Sequence, residues 1–254
     1  EALHEAVTAA GIPIATGRTI VSSEPDGPGR RLVFADGSAS VPFDLVVDAL
    51  GTRSPLAPPT GRELAYGALW ATLDAVPGFA PAALEQRYRR ASRMAGVLPV
   101  GGGRVAFFWS LRRDGLSAWH EAGLAAWKAE VLELWPACRP LLDQIDEPGQ
   151  LTLPAFAHRT LRRPGEPALV HIGDAWHSAS PQLGQGANTA LLDAMAVATG
   201  LRETGTVAEG VGRAIGMRRP HVALYQAMSA LFTPVYQSDS RLLPLIRDRL
   251  VGPL

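Results

Sequence analysis

The sequence predicts an α/β fold combined with an α+β one: a layered sheet domain interrupted by an inserted mixed or antiparallel sheet domain, then C-terminal helices. Three observations predict it. Two short segments with apolar cores lie far apart in the chain, Phe43 to Gly51 and Ala168 to Ile172, and each suits a strand buried in a sheet. Between them, residues 64 to 157 read as antiparallel strands with helices of their own. After the second segment the pattern is helical nearly to the end. With 254 residues, 47% of them apolar and 19% charged, the chain can bury one large core or two modest ones.

The elements follow in order. Leu3, Ala6, Val7 and Ala10 recur at helical spacing, and Gly11 supplies a stop. The chain opens with Glu1 already inside that pattern, so an upstream segment is expected. Thr19–Val21 and Arg31–Phe34 read as strands flanking the turn-rich Pro25-Asp26-Gly27-Pro28-Gly29, and Asp36-Gly37 marks another tight turn. The segment from Ser54 to Thr60, with three prolines, reads as a domain crossing. Strands are expected over Tyr66–Leu73, Gly96–Val100 and Val105–Leu111, the last two joined by Gly101-Gly102-Gly103. Helices are expected over Pro81–Ala91 and Ser117–Leu134, with Ser117 as cap of the second. A helix over Asn188–Leu201 is apolar nearly all round, which predicts burial between layers. Two further helical stretches cover about 206–232 and 239–251, interrupted or ended by Pro220 and Pro234.

Composition excludes several classes. Lys and Arg total 24, as do Asp and Glu, so the net charge is zero and there is no basic footprint for nucleic acid or an anionic membrane. No apolar run approaches the roughly 20 residues of a membrane-spanning helix. The single cysteine, Cys138, reads as a packed thiol; a cytoplasmic location is expected.

The segment that carries chemistry is Gly173-Asp174-Ala175-Trp176-His177-Ser178-Ala179-Ser180-Pro181-Gln182-Leu183-Gly184-Gln185-Gly186-Ala187-Asn188. A buried strand ends at Gly173, and ligands of α/β sheets bind beyond such ends. Asp174 there offers two acceptor oxygens, suited to sugar or ribityl hydroxyls. Gly184 and Gly186 allow close backbone approach to a flat ligand. The following helix would point free N–H groups and its positive end at that ligand. The bland reading is a strand, loop and helix with ordinary turn glycines. The combination of Gly-Asp, Pro, Gly-Gln-Gly and Asn is more specific than glycine spacing alone.

This segment resembles the second FAD-contact motif of the flavoprotein monooxygenases related to para-hydroxybenzoate hydroxylase and the ubiquinone-pathway hydroxylases, with Trp176 in place of the usual second alanine. The resemblance implies FAD as cofactor, and NAD(P)H and O2 as co-substrates in hydroxylation of a small aromatic or electron-rich substrate. It implies that Gly173 and Asp174 meet the ribityl or ribose region and that Pro181 lies over the flavin ring. Gly186, Ala187 and Asn188 would place backbone groups at the pyrimidine edge, with Gly184 and Gln185 also at the cofactor. The earlier Ala49-Leu50-Gly51-Thr52-Arg53-Ser54 resembles the family's Ala-Asp-Gly-x-x-Ser motif, with Gly51 at the cofactor and Leu50 where the family has aspartate. Asp48, two residues before Leu50, would share its face on a continued strand. By the same resemblance residues 1–60 are part of a glutathione-reductase-like FAD-binding domain, 61–157 the substrate domain, 158–203 the return to the first domain, and 204–254 C-terminal helices. The family's Gly-x-Gly-x-x-Gly turn for the pyrophosphate does not occur here, so the chain is expected to be a fragment that holds FAD weakly by itself. Leu50 keeps a dehydrogenase or reductase on the same scaffold open, as well as a non-catalytic fragment; no catalytic side chain stands out.

Other signals are weaker. His171, Asp174 and His177 do not share a helix face as metal ligands would, so no metal is expected. The Gly-x-Ser-x-Gly elbow of hydrolases is absent around Ser178 and Ser180. Arg159, Arg162 and Arg163 suit a solvated face or a phosphate contact, and Arg87, Arg89 and Arg90 a solvated helix face. Trp70, Phe107, Phe108 and Trp109 suit core or the wall of an apolar pocket, with Phe107 and Trp109 on the face opposite Phe108.

Overall fold

The computed structural model describes residues 2–153 and 156–251; Glu1 lies outside them. The chain divides into two compact units, residues 1–59, 161–176 and 190–219 in the first and 60–160, 177–189 and 220–254 in the second.

In the first unit, α1 (Ala2–Ala9) ends as its sequence demands. Gly11 adopts a φ of 68°, its amide reaches Thr8 and that of Ile12 reaches Val7, the double bond of a Schellman stop. β1 (Ile20–Asp26) and β2 (Gly29–Phe34) form an antiparallel hairpin that turns at Gly27. The expected segment from Phe43 to Gly51 is strand only over β3 (Val46–Asp48), and it is not buried on both faces: Val47 is 44% exposed. The reason is its place in the sheet. β3 pairs in parallel with β11 (Leu169–His171), which pairs with β10 (Gly165–Glu166), so β3 is an outer strand and β11, wholly buried, the central one.

α5 (Gly186–Glu203) and α6 (Val207–Tyr236) cover this sheet through Val170, Ile172, Ala196, Val197, Val211 and Ala214. They cross at a contact of glycines: a Cβ on Gly200 would stand 2.2 Å from the carbonyl oxygen of Gly210. α5 is not buried all round, as its composition suggested. Leu191, Leu192 and Met195 are exposed, Met195 by 64%, because the packed stripe is the narrow one of Asp193, Ala196, Val197 and Gly200. α6 continues through both Pro220 and Pro234 instead of breaking, since each proline removes a single amide donor from a long packed helix.

The second unit is built on a four-stranded antiparallel sheet ordered β5 (Tyr66–Asp74), β8 (Arg104–Arg112), β7 (Arg93–Gly101) and β6 (Glu85–Arg89). The triple glycine turns β7 into β8, each glycine at positive φ. The segment expected as a helix, Pro81–Ala91, instead supplies β6. Its alanines and leucine favour a helix locally, but Arg87 and Arg89 alternate with Gln86 and Tyr88, and pairing with β7 fixes the extended form. Arg87 then lies over the Trp135 ring at 4.8 Å and Arg89 pairs with Glu133, so these arginines cover neighbouring side chains.

One sheet face packs α2 (Leu116–Leu134) through Phe107, Trp109, Trp127 and Val131. α2 starts at Leu116 with Gly115 before it and no side-chain cap, so Ser117 does not cap it; Gly123, at φ 79°, breaks it internally. Cys138 packs in the same core. β4 (Arg62–Glu63) and β9 (Ala157–His158) form a short ladder. The final helical stretch is shorter than expected: α7 (Leu243–Ile246), followed by a wider π turn over residues 247–251. Among the described residues no helix is long and apolar enough to cross a membrane.

Candidate functional site

In the first unit, two buried polar networks hold the chain where the parallel strands β3 and β11 end. Asp48, 1% exposed, closes β3. Its Oδ2 lies 2.7 Å from His171 Nδ1 on β11 and accepts from Ser54 Oγ at 2.7 Å, while its Oδ1 accepts from the Leu50 amide at 3.0 Å. Burial works to raise the Asp48 carboxyl, but these hydrogen bonds outweigh it and hold the group below its ordinary 3.8. The loop from residue 49 to 54 is therefore drawn back onto the strand end. Asp48 and Leu50 do not share a face as a continued strand would require. The strand stops at Asp48, which turns inward, and Leu50 turns out, 49% exposed. Gly51 follows at φ 82° with open space where a Cβ would stand.

The second network fixes the Gly173 turn. The Gly173 amide donates to Asp193 Oδ2 at 2.9 Å, and Asp193 Oδ1 accepts from Arg218 Nε at 2.7 Å. Asp193 is 1% exposed and Arg218 7%. Gly173 has a φ of 54°, and a Cβ there would meet Ala190 at 2.9 Å. The next residue, Asp174, is exposed and opens a single helical turn, α4 (Asp174–His177).

In the second unit, Pro181–Leu183 form a 3-10 turn closed by Gly184 at φ 62°. α5 starts at Gly186. Gly184, Gln185, Gly186, Ala187 and Asn188 are all exposed, and a Cβ on Gly184 or Gly186 would touch nothing within 4 Å. Asn188 donates to the Gln185 side chain at 2.9 Å. The first amides of the helix have no intrahelical acceptors and carry its positive end. The sheet face opposite α2 carries Trp70 stacked on Phe108 at 5.3 Å, with Met94, Tyr88 and Leu98 around them. Phe107 and Trp109 lie in the core on the other face.

The matched sequence decides the family. The sequence pattern of the FAD binding domain matches residues 2–210. The chain belongs to the FAD-binding domain family. It is similar to the FAD-dependent urate hydroxylase of Klebsiella pneumoniae, 29% identical over 206 residues that cover 76% of this chain and 52% of the relative. It is also similar to 2-heptyl-3-hydroxy-4(1H)-quinolone synthase of Mycobacteroides abscessus, 27% identical over 100% of this chain and 66% of the relative. The chain thus spans about half the length of the urate hydroxylase it matches. Its fold is that of Klebsiella pneumoniae HpxO solved with FAD and uric acid, with a TM-score of 0.77, 20% identity, and 93% of this chain and 65% of that one covered. 2-Methyl-3-hydroxypyridine-5-carboxylic acid oxygenase superposes with a TM-score of 0.76 at 19% identity, covering 94% and 66%.

The family's cofactor is FAD, and the donor set here fits one part of it. In the first unit the open backbone at Gly51 and the exposed Asp174 carboxylate suit a polyol; in the second, the open backbone at Gly184 and Gly186 and the start of α5 suit the edge of a flat ring. Among the described residues no strand runs through a Gly-x-Gly-x-x-Gly turn into a helix, the usual cradle for a pyrophosphate.

Sequence reasoning missed the Asp193–Arg218 pair, and it read His171 only as a failed metal ligand. The available signal was an acid in the middle of the apolar stretch of α5. The arginine cluster also divides: Arg159 is 5% exposed, while Arg162 and Arg163 are exposed, so the three do not share one solvated character.

Proposed function

We propose that this chain is part of an FAD-dependent monooxygenase that uses NAD(P)H and O2 to hydroxylate a small aromatic or electron-rich substrate. The observation that carries the reading is the open, glycine-lined backbone from Gly184 to Asn188 at the start of α5, preceded in sequence by the exposed Asp174. Bound FAD supplies the redox chemistry. The residues of this chain position it. Asp174 would accept hydrogen bonds from the ribityl hydroxyls, and the first amides of α5 would serve the flavin pyrimidine edge, where the helix's positive end would favour the negative charge of the reduced ring. Pro181 would contact the ring. Gly51 approaches from the loop that Asp48 and Ser54 hold. The pyrophosphate is left to a segment outside the described residues. The reading includes a cytoplasmic location and a glutathione-reductase-like FAD-binding domain with residues 61–157 as the substrate domain.

For the substrate, the stacked Trp70 and Phe108 with Met94 and Leu98 offer an apolar wall that favours a flat ring. Uric acid, the ligand of one structural neighbour, is a fitting first probe.

A second reading, a flavin dehydrogenase or reductase, is favoured by one observation. The exposed Leu50 brings no carboxylate to its position, and Asp48 is turned inward onto His171 and Ser54. One experiment separates the two. The FAD-loaded protein is given NADH or NADPH, candidate substrate and isotopically labelled O2. Monooxygenation predicts substrate-stimulated nicotinamide oxidation with one labelled oxygen in the product. Substrate conversion without label would favour the dehydrogenase.

A further inference from the structure

The second unit holds a cavity of about 470 Å³ that the flavin reading does not use. Part of its wall is apolar: Leu64, Ala65, Ala230 and Pro234. Its polar groups are unequally committed. Arg112 holds Asp114 through two bonds and also pairs with Asp239, so its charge is spent. Asp239 accepts in turn from the Tyr66 hydroxyl at 2.6 Å. Burial and that carboxylate push the Tyr66 phenol up to about 12, so it stays a neutral donor. His158 is held below its ordinary value by burial, which keeps its ring neutral.

Two groups remain. Arg62 pairs with no carboxylate among the described residues, and its neighbour Glu63 is taken by Arg113. Gln237 is only 6% exposed, and its Oε1 is buried without a hydrogen-bond partner. A buried acceptor left bare is destabilising, and a bound donor would satisfy it.

We propose that this cavity binds a small monocarboxylate with an apolar body and a hydroxyl or N–H donor at its far end. Arg62 takes the carboxylate through its planar fork. The apolar wall covers the body, and Gln237 accepts from the donor. One uncommitted guanidinium matches one negative charge. A phosphate dianion would call for a second cation, and Arg112 is already held by two carboxylates, Asp114 and Asp239, whose charge exceeds its own. The site lies within one unit and does not rest on the flavin reading.

Calorimetric titration of the flavin-free chain with para-hydroxyphenylacetate tests it, with para-hydroxyphenylacetamide and phenylacetate as controls. The amide lacks the charge and phenylacetate lacks the donor. Saturable binding of the acid is expected, with the amide about 10-fold weaker. Arg62→Gln, at an exposed position, should weaken the acid to the level of the amide and leave the amide unchanged. Gln237→Leu should weaken para-hydroxyphenylacetate and spare phenylacetate; melting temperatures verify that both variants fold. Equal binding of acid and amide by the unaltered chain, an acid affinity untouched by Arg62→Gln, or no saturable binding would overturn the proposal.

Discussion

Asp48 shows how much a single buried carboxylate can organise. It joins two parallel strands through His171 and ties back the loop containing Gly51 through Ser54 and the Leu50 amide. Asp48→Ala should cost about 3 kcal/mol, because it leaves these groups without their acceptor in a dry site; urea unfolding measures it. The sign of its pH dependence follows from its lowered value. The stabilisation is present above the ordinary carboxylate value of 3.8 and is lost as pH falls through the lower folded one. Acid titration of stability should therefore be shallower in Asp48→Asn. Cys138 supplies a second test at this scale. It is fully buried, and burial pushes its thiol up to about 12. A chromogenic disulfide reagent at neutral pH should modify it no faster than the chain opens; rapid modification of the folded protein would contradict the packing. Asp48 was visible in the sequence, but its partners were not. Those partners lie six residues along the chain and on a strand 123 residues away, and no spacing rule links them.

At the scale of elements, the α5–α6 crossing depends on the absence of side chains. Gly200→Ala would drive a Cβ into the Gly210 carbonyl at 2.2 Å, so the helices must part at a cost of about 2 kcal/mol. Gly212, also on α6, has nothing within 4 Å of its would-be Cβ. Gly212→Ala should therefore stabilise the unit by about 1 kcal/mol through helix propensity alone. Thermal unfolding of the two variants should shift in opposite directions. Elements with a strong local period were legible: α1 with its glycine stop, β5, β7, β8, the triple-glycine turn and the central strand β11. Those decided by distant partners were not. Pro81–Ala91 carries good helix formers, yet β7 recruits it as a strand. The exposed flank of α5 was misread because its composition is apolar on every side, and composition does not say which stripe a neighbour covers.

At the scale of the whole molecule, the order of segments follows the family resemblance: sheet strand, inserted antiparallel sheet, return strand, long helices. The segment from Gly173 to Asn188 was legible because glycines, a strand end and a helix start each carry a local physical signature. The buried pairs that support it, Asp193 with Arg218 above all, form only on folding. In the proposed reading Asp174 would serve the ribityl chain and the start of α5 the pyrimidine edge, and the described residues hold no Gly-x-Gly-x-x-Gly cradle for a pyrophosphate. Flavin-fluorescence titration of the chain with riboflavin and with FAD, repeated on Asp174→Ala, tests that division most directly. Saturable binding of both is expected, within about 10-fold of each other, with a loss of about 10-fold for both in the variant. Binding of FAD that is orders of magnitude tighter than riboflavin and indifferent to Asp174, or no saturable binding of either, would contradict it.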